Sequence, residues 1–561
     1  MRSSTLQDLT PVINLAASIG VGAHRSQRPL YVDLLPPCNE ACPAGENIQS
    51  WLAYAQAGQD RLAWEAIVKD NPFPAIHGRA CYHPCESKCN RKDLDSAVSI
   101  HAVERYLGDQ ALLHHWTLPV NVTRNGKRIL IVGAGPAGLS AAYHLHQRGY
   151  EVEIHDANGL PGGMLQYGIP AYRLPRDIVA AEISRLEDCG IRIILNHQVD
   201  DIASEKIVGN FDAVFIAIGA GISKHIEIPT RDSGKILDAI TLLHRVDEEE
   251  MPVIGRKMAV LGGGNTAIDA ARTLRRLGAD DTVIIYRRDA AHMSALPFEV
   301  KEALTEGIRF AWMRGISSVS DDHVTVEKMQ VGQNGNIVGT GEFEEIPASA
   351  LVLAIGQDCA SQFLDKLPLI QRTDNGNIQI TAEFMTGAEG IFCGGDATNG
   401  MHSVTAATGM GKKAAAQIDA WCQHTPDLLN PKYPKHPTVS FEMLHLPVYS
   451  NAVSLDEKEL NLTARLASFD EVISSLTASE AHHEAKRCLS CGNCYECDSC
   501  LAACPQTAIT KNISTAGYDI HLELCTGCAV CVDHCPAHAM EMVPEPISNN
   551  NDEANAGERN R

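Results

Sequence analysis

Residues 128–138 read RILIVGAGPAG and residues 258–267 read MAVLGGGNTA. Each is an apolar run entering a glycine cluster and then a stretch of helix formers, which predicts a strand, a tight turn and a helix. In the first copy Gly133, Gly135 and Gly138 hold the fingerprint positions of a dinucleotide fold, with Ala134, Pro136 and Ala137 between them. The first glycine allows the turn, the second the approach of backbone to a pyrophosphate, and the third close helix packing, while the helix N-terminus faces the phosphates. A lone GxGxxG is a weak pattern. Here the run from Tyr150 ends at Asp156, about where an acid meets ribose hydroxyls.

In the second copy Gly262, Gly264 and Ala267 occupy the same positions, with Gly263, Asn265 and Thr266 completing the loop. Its next strand, from Thr282 to Tyr286, ends in Arg287-Arg288 instead of an acid. Guanidinium groups suit a 2′-phosphate because they are planar, charged donors. This favours NADP(H), with NAD(H) left open; the plainer reading is an exposed basic pair. Two dinucleotide folds make the expected class α/β.

The chain has 561 residues and a net charge of −22. That sign argues against a nucleic-acid partner, which needs a basic footprint. No apolar run approaches the ~20 residues of a membrane span, and the first residues lack the pattern of a signal peptide, so the expected location is cytoplasmic.

Fifteen of the nineteen cysteines fall in tight groups; Cys189, Cys359, Cys393 and Cys422 stand alone. In a cytoplasmic chain such groups mean metal or redox chemistry rather than disulfides. Cys494, Cys497, Cys500 and Cys504-Pro505 have CxxCxxCxxxCP spacing, and Cys525, Cys528, Cys531 and Cys535-Pro536 repeat it. In two-cluster ferredoxins the fourth cysteine of each run ligates the other cluster. One 4Fe-4S cluster is therefore assigned to Cys494, Cys497, Cys500 and Cys535, the other to Cys525, Cys528, Cys531 and Cys504. The alternative, a pair of zinc sites, rarely uses three cysteines at this spacing with Cys-Pro. Cys38, Cys42, Cys81, Cys85 and Cys89 form an odd set of five.

The stretches CNEACPAGENIQSWLAYAQAG from Cys38 and NPFPAIHGRACYHPCESKCNRKDLDSAVSIHAVERYLGD from Asn71, with the two nucleotide loops, resemble the glutamate synthase small subunit family, to which the N-terminal half of dihydropyrimidine dehydrogenase is related. The family's usual lead-in before Cys38 is missing. FDEVISSLTASEAHHEAKRCLSCGNC, from Phe469, looks like that lead-in moved in front of the ferredoxin module. By position, the resemblance implies a cluster on Cys42, Cys81, Cys85 and the Glu104 carboxylate, and a further one on Cys38, Cys89, Cys488 and Cys491. For Glu104 the plainer reading is a solvated helix carboxylate. Fifteen grouped cysteines plus Glu104 make four sets of four.

The resemblance also implies a two-dinucleotide flavoprotein reductase, its FAD domain split around an NAD(P)H domain. FAD would then meet the first loop, Asp156, Gly162, Gly163, Arg173, Val199, Asp396 and the helix starting near Ser403; Ala354 and Gly356 would lie where the first fold resumes near Leu351. The expected division is a helical iron–sulfur domain at 1–125, FAD domain at 126–240 and 351–424, and NAD(P)H domain at 241–350. A linker and helical segment at 425–487, an α+β ferredoxin domain at 488–545 and a disordered tail at 546–561 follow. No CxxC lies at the flavin, which disfavours a dithiol reductase. No side chain is expected to act as acid or base, since the flavin carries the hydride.

The implied function is electron transfer between NAD(P)H and ferredoxin or a catalytic partner, such as a 2-oxoacid or sulfur-metabolising oxidoreductase or the glutamate synthase large subunit. The chain would work in a hetero-oligomer or homodimer. The alternative is a relay subunit that binds flavin without using NAD(P)H.

Overall fold

The computed structural model describes residues 25–120, 122–247, 255–332, 334–425, 436–455, 457–512 and 517–545. The expected tail at 546–561 lies outside them, as does most of the linker around 426–435.

Both glycine loops sit at the carboxyl ends of parallel sheets. The first sheet runs Ile391–Cys393, Ala213–Ile216, Arg128–Val132, Glu151–His155, Arg192–Ile194; the second runs Arg309–Trp312, Asp281–Tyr286, Lys257–Leu261, Leu351–Leu353, Ile236–Asp238. Their central strands are apolar because both faces are covered: Ile129, Leu130 and Ile131 are fully buried, as are Ala259 and Val260. One expectation is corrected here. Leu351–Leu353 pairs in parallel with Lys257–Leu261 and Ile236–Asp238, so it lies inside the second sheet instead of resuming the first. The chain returns to the first sheet only at Ile391–Cys393, beside Ala213–Ile216. A short apolar strand records that it is buried, not in which sheet.

Before the first sheet lies a helical unit whose core includes Ile48, Trp51, Leu52, Ile67, Val103 and Leu107. Helices Pro74–Ala80 and Ile100–Leu113 cross at two glycines. A Cβ on Gly78 would stand 2.4 Å from Arg105 Cα, and one on Gly108 would stand 2.3 Å from Ala75 N. The helix Ala478–Lys486, started by a capping box of Thr477 and Glu480, adds Ala481 and Ala485 to that same core. Arg487 behind it is 1% exposed and binds Glu484, Asp95 and the carbonyls of Ser96 and Ala97. A buried guanidinium needs such a full set of partners.

The segment after Cys494 has two short antiparallel pairs. Ile509–Lys511 pairs with Tyr518–Ile520; Met540–Pro544 pairs with Gln27–Tyr31 from the other end of the chain. The strand at 27–31, expected within the helical domain, thus completes the ferredoxin-type segment. Among the described residues no helix is long and apolar enough to cross a membrane.

Candidate functional site

At the first loop Gly133 has φ +108°, and a Cβ there would lie 2.4 Å from Ala217 O; one on Gly138 would lie 2.0 Å from Gly133 O. At Gly135 a Cβ would meet nothing within 4 Å. Two glycines are thus required by packing, and the third opens onto free space, as a pyrophosphate site demands. The Asp156 carboxylate accepts from Ala134 N at 2.7 Å, which holds it against the turn. Gly162 N donates to Ala134 O at 2.8 Å, and Gly163 backs onto Gly135. Val199 is buried. Ser403 caps the helix Val404–Cys422 by accepting from Ala406 N.

Asp396 Oδ1 is buried without a hydrogen-bond partner, and burial raises its pKa. Such an orphan is costly unless something fills the site. Together with the open cradle at Gly135, it fits FAD. Arg173, by contrast, is engaged with Asp269 at 2.7 Å and Glu299 at 2.7 Å.

At the second loop Gly262 meets Ala354 O, and Gly264 caps the helix Asn265–Arg276. Ala354 N donates to Leu261 O, and Gly356 has φ +113°. The Tyr286 ring lies over Gly263, and Ser294 Oγ donates to Gly263 O at 2.9 Å. Arg287 and Arg288 are exposed at the strand end, and among the described residues neither has a carboxylate partner.

The thiols gather in four places. Burial raises the Cys42 thiol, and Glu46, Glu104 and Cys81 raise it further; burial lifts Cys81 to about 12, with Glu104 also contributing. Cys85 is raised by burial and then by Glu86, Cys81 and Cys42. Glu104 is 6% exposed, and burial holds its pKa well above the carboxylate range. The Glu104 side chain is placed by Asn71 Nδ2, which donates to Glu104 Oε1 at 2.9 Å and to Glu46 Oε1 at 3.0 Å. Sequence reasoning missed Glu46, whose pKa burial pushes up to about 7.

For the second set, a cavity is lined by Cys38, Cys89, Cys488 and Cys491. Another is lined by Cys494, Cys497, Cys500 and Cys535, the third set, and another by Cys504, Cys525, Cys528 and Cys531, the fourth. Burial lifts Cys488 to about 11 and Cys491 and Cys531 to about 12. Clustered thiols that resist ionisation are what a bound cationic centre would reverse, since metals take the thiolate. Four sulfurs round one cavity fit a cubane.

The sets are neighbours in series. Cys38 is among the charges felt by Cys85. Tyr449, whose hydroxyl donates to Leu489 O at 2.7 Å, lies near Cys488 and Cys491 and beside Tyr495, which lies near Cys497 and Cys535. Cys500 is felt by Cys531. At the other end, Thr405 of the capped helix lies beside Cys81, and His77 Nε2 is 3.0 Å from Thr408 Oγ1. Tyr82, next to Cys81, lies beside Asn265 of the second loop. No motif pointed to Tyr82, whose role comes from packing between domains.

A family model described as pyridine nucleotide-disulphide oxidoreductase matches residues 127–411. A model for domain II of dihydropyrimidine dehydrogenase, with a 4Fe-4S cluster, matches 22–116, and a 4Fe-4S dicluster model matches 493–540. The small chain of NADPH glutamate synthase from Azospirillum brasilense is 31% identical over 421 residues, covering 69% of this chain and 87% of that one. The chain belongs to the glutamate synthase small chain family. Its cofactors are therefore FAD, NADP(H) and 4Fe-4S clusters, and it is an NAD(P)H oxidoreductase. Two family relatives extend the match through more of the chain. The beta subunit of NADP(+)-dependent formate dehydrogenase from Moorella thermoacetica is 31% identical over 507 residues, 81% of this chain and 70% of its own. The beta subunit of NADPH-Fe(3+) oxidoreductase from Geobacter sulfurreducens is 32% identical over 510 residues, 81% and 75%.

Proposed function

We propose that this chain is the NADPH-oxidising subunit of a larger oxidoreductase and passes electrons to a catalytic partner or ferredoxin docked on its C-terminal 4Fe-4S segment. The carrying observation is that Cys488 and Cys491 line one cavity with Cys38 and Cys89, which lie far earlier in the chain. This joins the ferredoxin-type segment to the helical unit, so the thiol sets run in series away from the flavin fold. The relatives named as beta subunits support an assembly of this kind.

When bound, flavin supplies hydride acceptance from nicotinamide and one-electron delivery to the iron–sulfur clusters. Gly133, Gly135, Gly138, Asp156 and Asp396 would hold FAD, with Asp396 accepting a hydrogen bond. Gly262, Gly264, Arg287 and Arg288 would hold the nucleotide, the two guanidiniums meeting its 2′-phosphate. The innermost cluster would be held by Cys42, Cys81, Cys85 and Glu104, with Thr405 bringing the capped helix against it. Cys38, Cys89, Cys488 and Cys491 would hold the next. Cys494, Cys497, Cys500 and Cys535 would hold the third, and Cys504, Cys525, Cys528 and Cys531 the outermost. Burial around the inner thiols excludes water, and Tyr82 beside Asn265 sets the second loop against the first set.

The test is anoxic: iron per flavin is assayed on the purified chain, and absorbance is followed after NADPH or NADH is added. Rapid bleaching by NADPH, with about sixteen irons per FAD for four cubanes, is the expected result. Bound flavin that neither nucleotide reduces would overturn the proposal and leave a relay subunit.

A further inference from the structure

One histidine cluster on the first sheet takes no part in this scheme. His155 ends the strand Glu151–His155, His197 lies in the loop after Arg192–Ile194, and Glu205 is on the helix Ile202–Val208. The three therefore come from separate elements. His155 Nε2 is 2.8 Å from Glu153 Oε1, and the other oxygen of Glu153 accepts from Arg192 at 3.0 Å. With Nε2–H donating to Glu153, the lone pair of His155 lies on Nδ1. That nitrogen is buried without a hydrogen-bond partner, on a side chain 6% exposed. It is 3.8 Å from Glu205 Oε2, while Glu205 Oε1 is 2.9 Å from His197 Nε2. One ligand atom from each residue lies within 4.8 Å of the others.

A buried acceptor lone pair that no donor reaches is costly. A metal ion removes that cost, and the spacing suits one. Bond lengths near 2.0–2.2 Å around a tetrahedral ion put neighbouring ligand atoms roughly 3.3 Å apart, between the two separations observed here. Two imidazoles and one carboxylate favour zinc and its first-row neighbours over calcium or magnesium. Glu153 stands to His155 as a carboxylate stands to a metal-bound histidine, fixing tautomer and ring orientation. His197 and Glu205 are 39% and 26% exposed, which leaves an entrance and a place for water. The cluster of His83, Glu86 and His101 is a poorer candidate, because both ring nitrogens of His101 are already held by Glu86 and Glu457.

We propose that His155, His197 and Glu205 bind one divalent transition-metal ion, which ties the loop and helix that carry His197 and Glu205 to the carboxyl end of the strand before Asp156. The test uses iron-replete holoenzyme under anoxia with Zn2+ as the probe, reading zinc retained per chain after gel filtration, calorimetric affinity and the melting temperature. The wild type should retain one zinc and melt higher with it. His197→Ala and Glu205→Gln, at partly exposed positions, should each weaken binding at least tenfold and abolish the rise in melting temperature. The proposal is overturned if the wild type retains no zinc, or if both variants retain it equally, which would put the ion on thiols.

Discussion

Replacing Gly108 by alanine tests how Glu104 reaches the thiols. Alanine in a helix interior gains about 1 kcal/mol over glycine, so a roomy site would be stabilised. The added Cβ would stand 2.3 Å from Ala75 N and 2.5 Å from Ala75 Cα, where ordinary contact begins at 3.4 Å. Those neighbours are backbone and cannot swing away. The helices Pro74–Ala80 and Ile100–Leu113 must part by about 1 Å, an overpacking that typically costs about 1–3 kcal/mol. The net effect is a loss of up to about 2 kcal/mol after the propensity gain. Glu104 sits one turn before Gly108 on the moving helix and Cys81 at the end of the other, so the separation falls on the proposed cluster. The assay is iron per flavin with low-temperature electron paramagnetic resonance of the reduced enzyme, alongside the melting temperature. About four irons of sixteen should be lost, with flavin kept. A Gly108→Ala protein with full iron and an equal or higher melting temperature would refute the reasoning.

Removing the Tyr31 hydroxyl, which lies 3.2 Å from Cys500 Sγ, should lower the midpoint potential of the cluster proposed there, because hydrogen bonds to sulfur stabilise the reduced state; a Tyr31→Phe redox titration with an unchanged midpoint would count against it. Arg287→Ala and Arg288→Ala should each raise the KM for NADPH about 10–100-fold, the worth of a hydrogen bond to a charged group, and leave that for NADH nearly unchanged; equal effects on both nucleotides would remove the 2′-phosphate role. Burial lowers the pKa of His144 to about 3 from an ordinary 6.5, so the unfolded chain takes the proton first, and stability present above pH 6.5 is lost as pH falls. Between pH 6.5 and 5 the loss is about 2 kcal/mol from this site. His144→Asn should flatten the fall of melting temperature over that range, and an unchanged slope would exclude the effect.

Much of the site could be read locally. Gly133, Gly135 and Gly138 are spaced by the geometry of one turn, and the thiols from Cys494 to Cys504 by that of one loop, so a few consecutive residues carry the signal. Glu104 came only through resemblance, because a carboxylate on a helix has no local mark of burial. Glu46 and Tyr82 went unnoticed for the same reason. Leu351–Leu353 was assigned to the wrong sheet because its apolar residues suit either.

The sequence by itself therefore determined two dinucleotide folds, the ferredoxin-type thiol spacing and the chemistry these residues can support. Each depends on backbone geometry within a turn or loop, which neighbouring residues control. The tertiary structure brought Cys488 and Cys491 into one cavity with Cys38 and Cys89, a grouping that the residues alone did not give and that only the resemblance implied, and it alone decided that the strand Gln27–Tyr31 completes the far end of the chain. It also decided that two glycines let Glu104 approach Cys81. Those meetings join residues tens to hundreds of positions apart, and they are selected by which apolar faces and backbone edges can be buried together, a property of the whole packed chain.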